Sequence, residues 1–199
     1  MISALARGHV VLGGGDQPVL LTAATRAAEF IERELHDEGR GILYRSWLEG
    51  RGATEGFAED YAYLIHGLLD LYETNFDVRW LRWAGELQVA MDARYWDEAR
   101  GGYFNSWAED GSIVLRLKEE YDGAEPAAAS VATRNLLVLA HLTGDSTYCA
   151  QAERALERYG PQIARVSRVM PFMMSNLAAV HGHPSEVVIL GDRADARTQ

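Results

Sequence analysis

The chain has 199 residues, 48% hydrophobic and 24% charged, and a formal charge of −10 from 19 Lys and Arg against 29 Asp and Glu. Such an acidic surface repels phosphate backbones and anionic lipid, which argues against nucleic-acid and membrane-surface roles. One cysteine, Cys149, excludes an internal disulfide framework, a CxxC redox centre and a cysteine-rich zinc site, and no apolar run is long enough to span a bilayer.

The first apolar stretch predicts a helix over residues 2–12. MISALARGHVVL carries no small-residue cleavage signal, so a reduced, cytoplasmic setting is expected rather than export. Gly13 to Gly15 lack the strand and lysine of a phosphate loop and read as a turn before a helix over 19–36. From here the chain repeats itself. Three segments place an Asp, an aromatic or aliphatic residue three later and an Ala seven later: Asp16–Val19–Ala23, Asp77–Trp80–Ala84 and Asp145–Tyr148–Ala152. Each Asp precedes a helical pattern as a candidate N-cap. A second landmark recurs about sixty residues on, Asp37-Glu-Gly-Arg-Gly41 and Asp97-Glu-Ala-Arg-Gly101, and runs into strand-like ILYRSW and GYFNSW.

The helices are of two kinds. Residues 77–95 and 145–160 are amphipathic, whereas 57–74 and 126–142 are apolar on most sides and have to be enclosed. Alternation of the two kinds predicts inner helices (2–12, 57–74, 126–142, 168–182) backed by outer ones (19–36, 77–95, 145–160). A strand-like Glu186 to Leu190 follows. A plain α-solenoid is the rival, but its turns are short, while residues 37–56 and 97–125 form long connections of the sort that carry function. The expectation is a single all-α domain over 1–199 with short β-hairpins. It would form a partial (α/α)6 toroid of about three and a half hairpins, part of a larger ring.

In a toroid the inner-helix N-termini and their feeding loops line one mouth. GFAEDYAYLIHGLL brings Glu59, Asp60 and Tyr61 there; RLKEEYDGAEPAAAS brings Arg116, Lys118, Tyr121, Asp122 and Glu125. The proline predicts Glu125 as N-cap and Pro126 as first helical residue. SIVLRLK alternates, placing Val114, Arg116 and Lys118 on one face. Paired carboxylates beside aromatic rings are what glycosidic cleavage needs, so Asp60, Asp122 and Glu125 are the acid/base candidates. Glu59 would bind substrate, Tyr61, Tyr103, Trp107 and Tyr121 would offer stacking faces, and Arg116 or Lys118 would hold an anionic substituent. Acids in a first helical turn are also favoured by the macrodipole alone. The six histidines show no metal spacing, and no cofactor or metal is expected. His66, two-thirds of a turn round from Asp60, reads as core or surface, and Cys149 as inert packing.

The runs GFAEDYAYLIHGLLDLYE, WDEARGGYF and RLKEEYDGAEPAAASVATRNLLVLAHLTGD resemble the C-terminal region of the thioredoxin-domain-containing, spermatogenesis-associated protein 20 type family. The resemblance implies a six-hairpin glycosidase-like fold, similar to that of N-acylglucosamine 2-epimerases, more firmly than a reaction. No thioredoxin domain, and so no redox function, is expected within these residues. The family pattern starts before Met1 and runs on past Gln199, and Ala127 and Ala129 stand where the family usually has Ser and Asn. The expected role is handling a carbohydrate, by hydrolysis or isomerisation. The alternative is a non-catalytic scaffold that self-associates or takes a partner over the open ends of the arc.

Overall fold

The computed structural model describes residues 1–13, 18–111, 113–182 and 191. Asp16, His183 and the 186–190 stretch lie outside these. The described helices are α1 (Ile2–Val11), α2 (Pro18–Leu35), α3 (Ala58–Asn75), α4 (Val78–Tyr95), α5 (Ala128–Thr143), α6 (Ser146–Arg165) and α7 (Pro171–His181). A two-residue antiparallel pair, β1 (His36–Asp37) and β2 (Ile42–Leu43), follows α2.

Asp77 and Asp145 are the N-caps their positions predict, accepting from the Arg79 N–H at 3.1 Å and the Thr147 N–H at 2.9 Å. The sixty-residue landmark is a structural repeat too. Leu35 O accepts from the Tyr44 N–H and Tyr95 O from the Phe104 N–H, both at 2.8 Å. His36 pairs with Leu43 as Trp96 pairs with Tyr103. The glycines ending the two turns, Gly41 and Gly101, have φ of +61° and +69°, a region nearly closed to residues with a Cβ.

The inner layer runs α1, α3, α5, α7 side by side, with α2 behind α1, α4 behind α3 and α6 behind α5. Burial explains the layering. Outer α2 buries only Ala24 and Ala28, whereas inner α3 buries ten residues, Tyr61, Ile65, Leu68 and Leu71 among them with no exposure. Trp80, Leu87 and Met91 of α4 and Leu136 and Leu139 of α5 close the same core. Each such side chain contributes about 1.5–3 kcal/mol on leaving water.

A second repeat sets the register of the inner wall. Asn135 donates from Nδ2 to Ala62 O at 2.8 Å, and Asn176 donates to Ser130 O at 2.7 Å. Each amide ties its inner helix to the preceding one, from the matching segments Arg134-Asn135-Leu136 and Ser175-Asn176-Leu177. In α3 the matching segment is His66-Gly67-Leu68. There glycine admits α1, because a Cβ would sit 3.3 Å from Ile2 Cβ.

Three boundaries differ from expectation. Helix α5 starts at Ala128 with Ala127 as N-cap, not with Glu125 and Pro126. The Asp122 carboxylate takes the Ala127 N–H at 2.8 Å and Tyr63 donates to Pro126 O at 2.9 Å, and both bonds hold the chain out of the helix up to Ala127. Helix α6 continues through Pro161 to Arg165. The residue before the proline is Gly160, which has no Cβ to clash with the ring, and Tyr159 and Ile163 are buried on either side. The last inner segment splits into a 3-10 turn (Ser167–Val169) and α7, whose first residue is Pro171. Cys149 is exposed on α6 rather than packed.

Candidate functional site

The N-termini of the inner helices gather at one end. Ile2 and Ser3 of α1, Glu59, Asp60, Tyr63 and His66 of α3, and Glu125 ahead of α5 line one open cavity of about 580 Å³ together with Arg45. Asp60 and Glu125, from successive inner-helix starts, therefore share a space. Asp60 Oδ2 accepts from the Phe57 N–H at 2.8 Å, a capping bond, and stands 3.8 Å from Arg45 Nη1. Burial pushes the Asp60 carboxyl up from its ordinary value, with the Phe57 N–H and Arg45 pulling the other way. Glu59 is ion-paired with Arg45. Tyr63 is pushed up to about 12 by burial and by Glu125, Asp122, Glu59 and Glu119 around it.

His66 joins the cavity because its side chain comes round toward the mouth while still resting on Asp70, 3.8 Å from Nε2. Burial lowers its pKa and Arg7 and Arg134 lower it further, against the pull of Asp70. Asp70 itself is buried, accepting from Arg7 Nε at 2.9 Å and Nη2 at 2.8 Å and from the Ser3 hydroxyl. Arg45, Tyr63 and His66 were missed as mouth residues. Counting three and four residues on from Glu59 and Asp60 along α3 would have found Tyr63.

Other candidates are held elsewhere. Asp122 is buried with both oxygens occupied: Oδ1 takes the Ala127 N–H, and Oδ2 takes Phe172 N–H at 2.9 Å and Met173 N–H at 3.2 Å. It fastens the start of α5 to the start of α7, with three backbone N–H groups on a buried carboxylate that holds a structural junction together. Tyr61 is buried, its hydroxyl accepting from the Leu43 N–H at 2.8 Å. Arg116 points inward, donating to Ser106 O at 2.9 Å and Arg94 O at 3.0 Å. Lys118 does likewise, donating to Asp97 Oδ2 at 2.7 Å and Gly101 O at 2.5 Å. Both cations lie over the Phe104 ring, so neither reaches into the mouth. The alternation holds from Leu115 on, but it places the two charges against the protein and Leu115 and Leu117 in solvent; Val114, expected on the face of Arg116 and Lys118, is fully exposed instead. Tyr121 is exposed. Trp107 carries Arg94 over its ring at 3.9 Å and borders another cavity, one that Asp60 and Glu125 do not line.

Tyr103 is buried too, donating to Asp92 Oδ1 at 2.7 Å, while Gln88 Nε2 donates to the same oxygen at 2.8 Å. Burial outweighs these bonds and pushes Asp92 up to about 6. A carboxyl whose pKa is raised in the folded state binds protons more tightly there. Its stabilising contribution is present at pH below about 4 and is lost as pH climbs through about 6. Two units correspond to about 2–3 kcal/mol. Asp92→Asn, which can still accept from Tyr103 and can donate to the otherwise unpartnered Gln88 Oε1, is expected to gain about 2 kcal/mol on the parent between pH 4 and 7.5. Urea unfolding of both proteins across that range checks it; a pH-independent difference would refute it.

No family model matches the chain. Spermatogenesis-associated protein 20 of Homo sapiens is 40% identical over 202 residues, covering 97% of this chain, and that of Rattus norvegicus is 40% identical over 201 residues, covering 96%. The chain is a relative of the spermatogenesis-associated protein 20 family. It spans 25% of the length of these relatives. Among solved structures, a GH76 α-mannanase from Bacteroides thetaiotaomicron and a cellobiose 2-epimerase from Bacillus thermoamylovorans each superpose with a TM-score of 0.59 at 12% identity. Each match covers 78% of this chain, and 37% and 41% respectively of the other. The fold is thus that of part of an α/α toroid, as the alternation of helices implied. No helix among the described residues is long and apolar enough to cross a membrane.

Proposed function

We propose that the mouth of this spermatogenesis-associated protein 20 relative handles a carbohydrate and that Asp60 and Glu125 carry the proton transfers of sugar hydrolysis or isomerisation. The observation that carries this reading is that the two carboxyls, from successive inner helices, border the same open cavity. Asp60, raised by burial, is suited to hold a proton for a leaving oxygen; Glu125, exposed, is suited to activate water or a sugar carbon's proton. Asp122 drops out of the set. The toroid neighbours named for mannan and cellobiose chemistry lend support at the level of fold.

Asp60→Asn tests it, since the amide oxygen can still accept from the Phe57 N–H and keep the cap. Turnover of a saccharide processed by the parent is expected to fall at least a hundredfold, with the melting temperature nearly unchanged. Unaltered turnover, or loss of folding, would assign the carboxylate to structure alone.

A second reading, association without catalysis, has one observation of its own. Helix α7 is apolar on nearly all sides, yet Met174, Ala178, Ala179 and Val180 are exposed among the described residues. Self-association over this face predicts a dimer or larger species by light scattering; a monomer at high concentration would dismiss it.

A further inference from the structure

Three cavities adjoin at the mouth. The one lined by Asp60 and Glu125 shares Arg45 and Glu59 with a second of about 340 Å³, bordered by Asn105, Ser106 and Glu119. The second shares Phe57 with a third of about 490 Å³, lined by Glu55, Tyr95, Trp107, Glu109 and Asp110. Each is within the size range that encloses a small ligand, so the series exceeds what one sugar ring would fill. Tyr63, Phe57 and Trp107 place an aromatic ring in each successive part.

The charge along this groove decides what suits it. Arg116 and Lys118 are turned into the protein. Arg45 is taken by Glu59, and Arg94 by Glu55. Among the described residues Glu119 and Glu125 have no ion-pair partner, and repulsion from Glu59 and Asp122 adds to burial in raising Glu119. The positive ends of three inner helices bring about half a charge each. That is too little to offset Glu109, Glu119 and Glu125.

We infer that the three cavities form one continuous groove for a linear oligosaccharide bearing amino groups. Uncharged chains fit less well and uronates worst. This rests on the carbohydrate reading above and extends it from a single sugar to a chain of defined charge. Attraction to unpaired carboxylates supplies the order, and the row of rings supplies the length dependence.

Calorimetric titration of the full chain tests this with β-1,4-linked glucosamine from monomer to tetramer, glucose oligomers of equal length and tetragalacturonate, at low and at 0.5 M salt. The expected result is an affinity rising at least tenfold from monomer to tetramer, in the order amino, neutral, uronate, with the differences shrinking in salt. Glu119→Gln and Glu125→Gln together should narrow the gap between the amino and uronate tetramers several-fold. Trp107→Ala should weaken the tetramer and spare the monomer, with a melting curve confirming that each variant is folded. Affinity independent of length, or a uronate tetramer binding as tightly as the amino one, would overturn the inference and leave the carbohydrate reading standing. Failure of every saccharide to bind would overturn both.

Discussion

Asp122→Ala is expected to lower the unfolding free energy by about 4 kcal/mol. The substitution strips three backbone N–H groups, those of Ala127, Phe172 and Met173, of a carboxylate partner. Hydrogen bonds to a charged group are worth about 1.5–3 kcal/mol each, and a buried donor left without an acceptor costs about 1–3 kcal/mol. The upper part of that range is tempered because Phe172 is only half-buried and its N–H can find water. Urea unfolding gives the size of the effect. Hydrogen exchange gives its location: the amides of Ala127, Phe172 and Met173 should lose protection, and the α3–α4 core should not. Asp122→Asn, with one accepting oxygen in place of two, should fall between. If Asp122→Ala retained full stability but lost saccharide turnover, the carboxylate would be chemical after all, and the assignment made here would be wrong.

Gly101→Ala should cost about 3 kcal/mol, for two reasons that add. With φ at +69°, any Cβ incurs about 1 kcal/mol of backbone strain. The new Cβ would also lie 2.8 Å from Arg154 O, a backbone atom of α6 that cannot swing aside, and such overpacking costs about 1–3 kcal/mol. The repeat supplies an internal control. Gly41 has nearly the same φ, but its Cβ would meet only Ala90 Cβ at 3.8 Å. Gly41→Ala should therefore cost only the strain, about 1 kcal/mol. Equal losses at the two positions, measured by chemical unfolding, would show that the close approach of α6 plays no part.

These two glycines show how far a repeat can be read. The matching Asp–Glu–x–Arg–Gly segments predict matching turns, and the bonds that close them from outside agree, Tyr44 to Leu35 and Phe104 to Tyr95, although Gly41 N–H reaches Glu38 O and Gly101 N–H reaches Asp97 O. What differs is the neighbour: α6 lies against one turn and the open side of α4 against the other. The same holds at the mouth. Clustered acids at two inner-helix starts were visible in the chain, and Asp60 and Glu125 do border one cavity. Asp122, three residues from Glu125, turns instead into the core. The Asn register was also within reach, since Arg-Asn-Leu and Ser-Asn-Leu recur at matching points of α5 and α7, but its meaning depended on a carbonyl in another helix.

Taken alone, the order of residues determined which segments are rods, which rods are enclosed, that Asp77 and Asp145 are N-caps and where the chain reverses. Those properties arise from bonds within about four residues and from the helical spacing of apolar side chains. The tertiary structure alone decided which charges face the cavity at the inner-helix starts. Lys118 meets Asp97 across 21 residues, Arg116 meets Arg94 across 22, and Asp122 meets Met173 across 51. A long polar side chain has several partners of comparable worth, and only the packed helices fix which of them comes within about 3 Å.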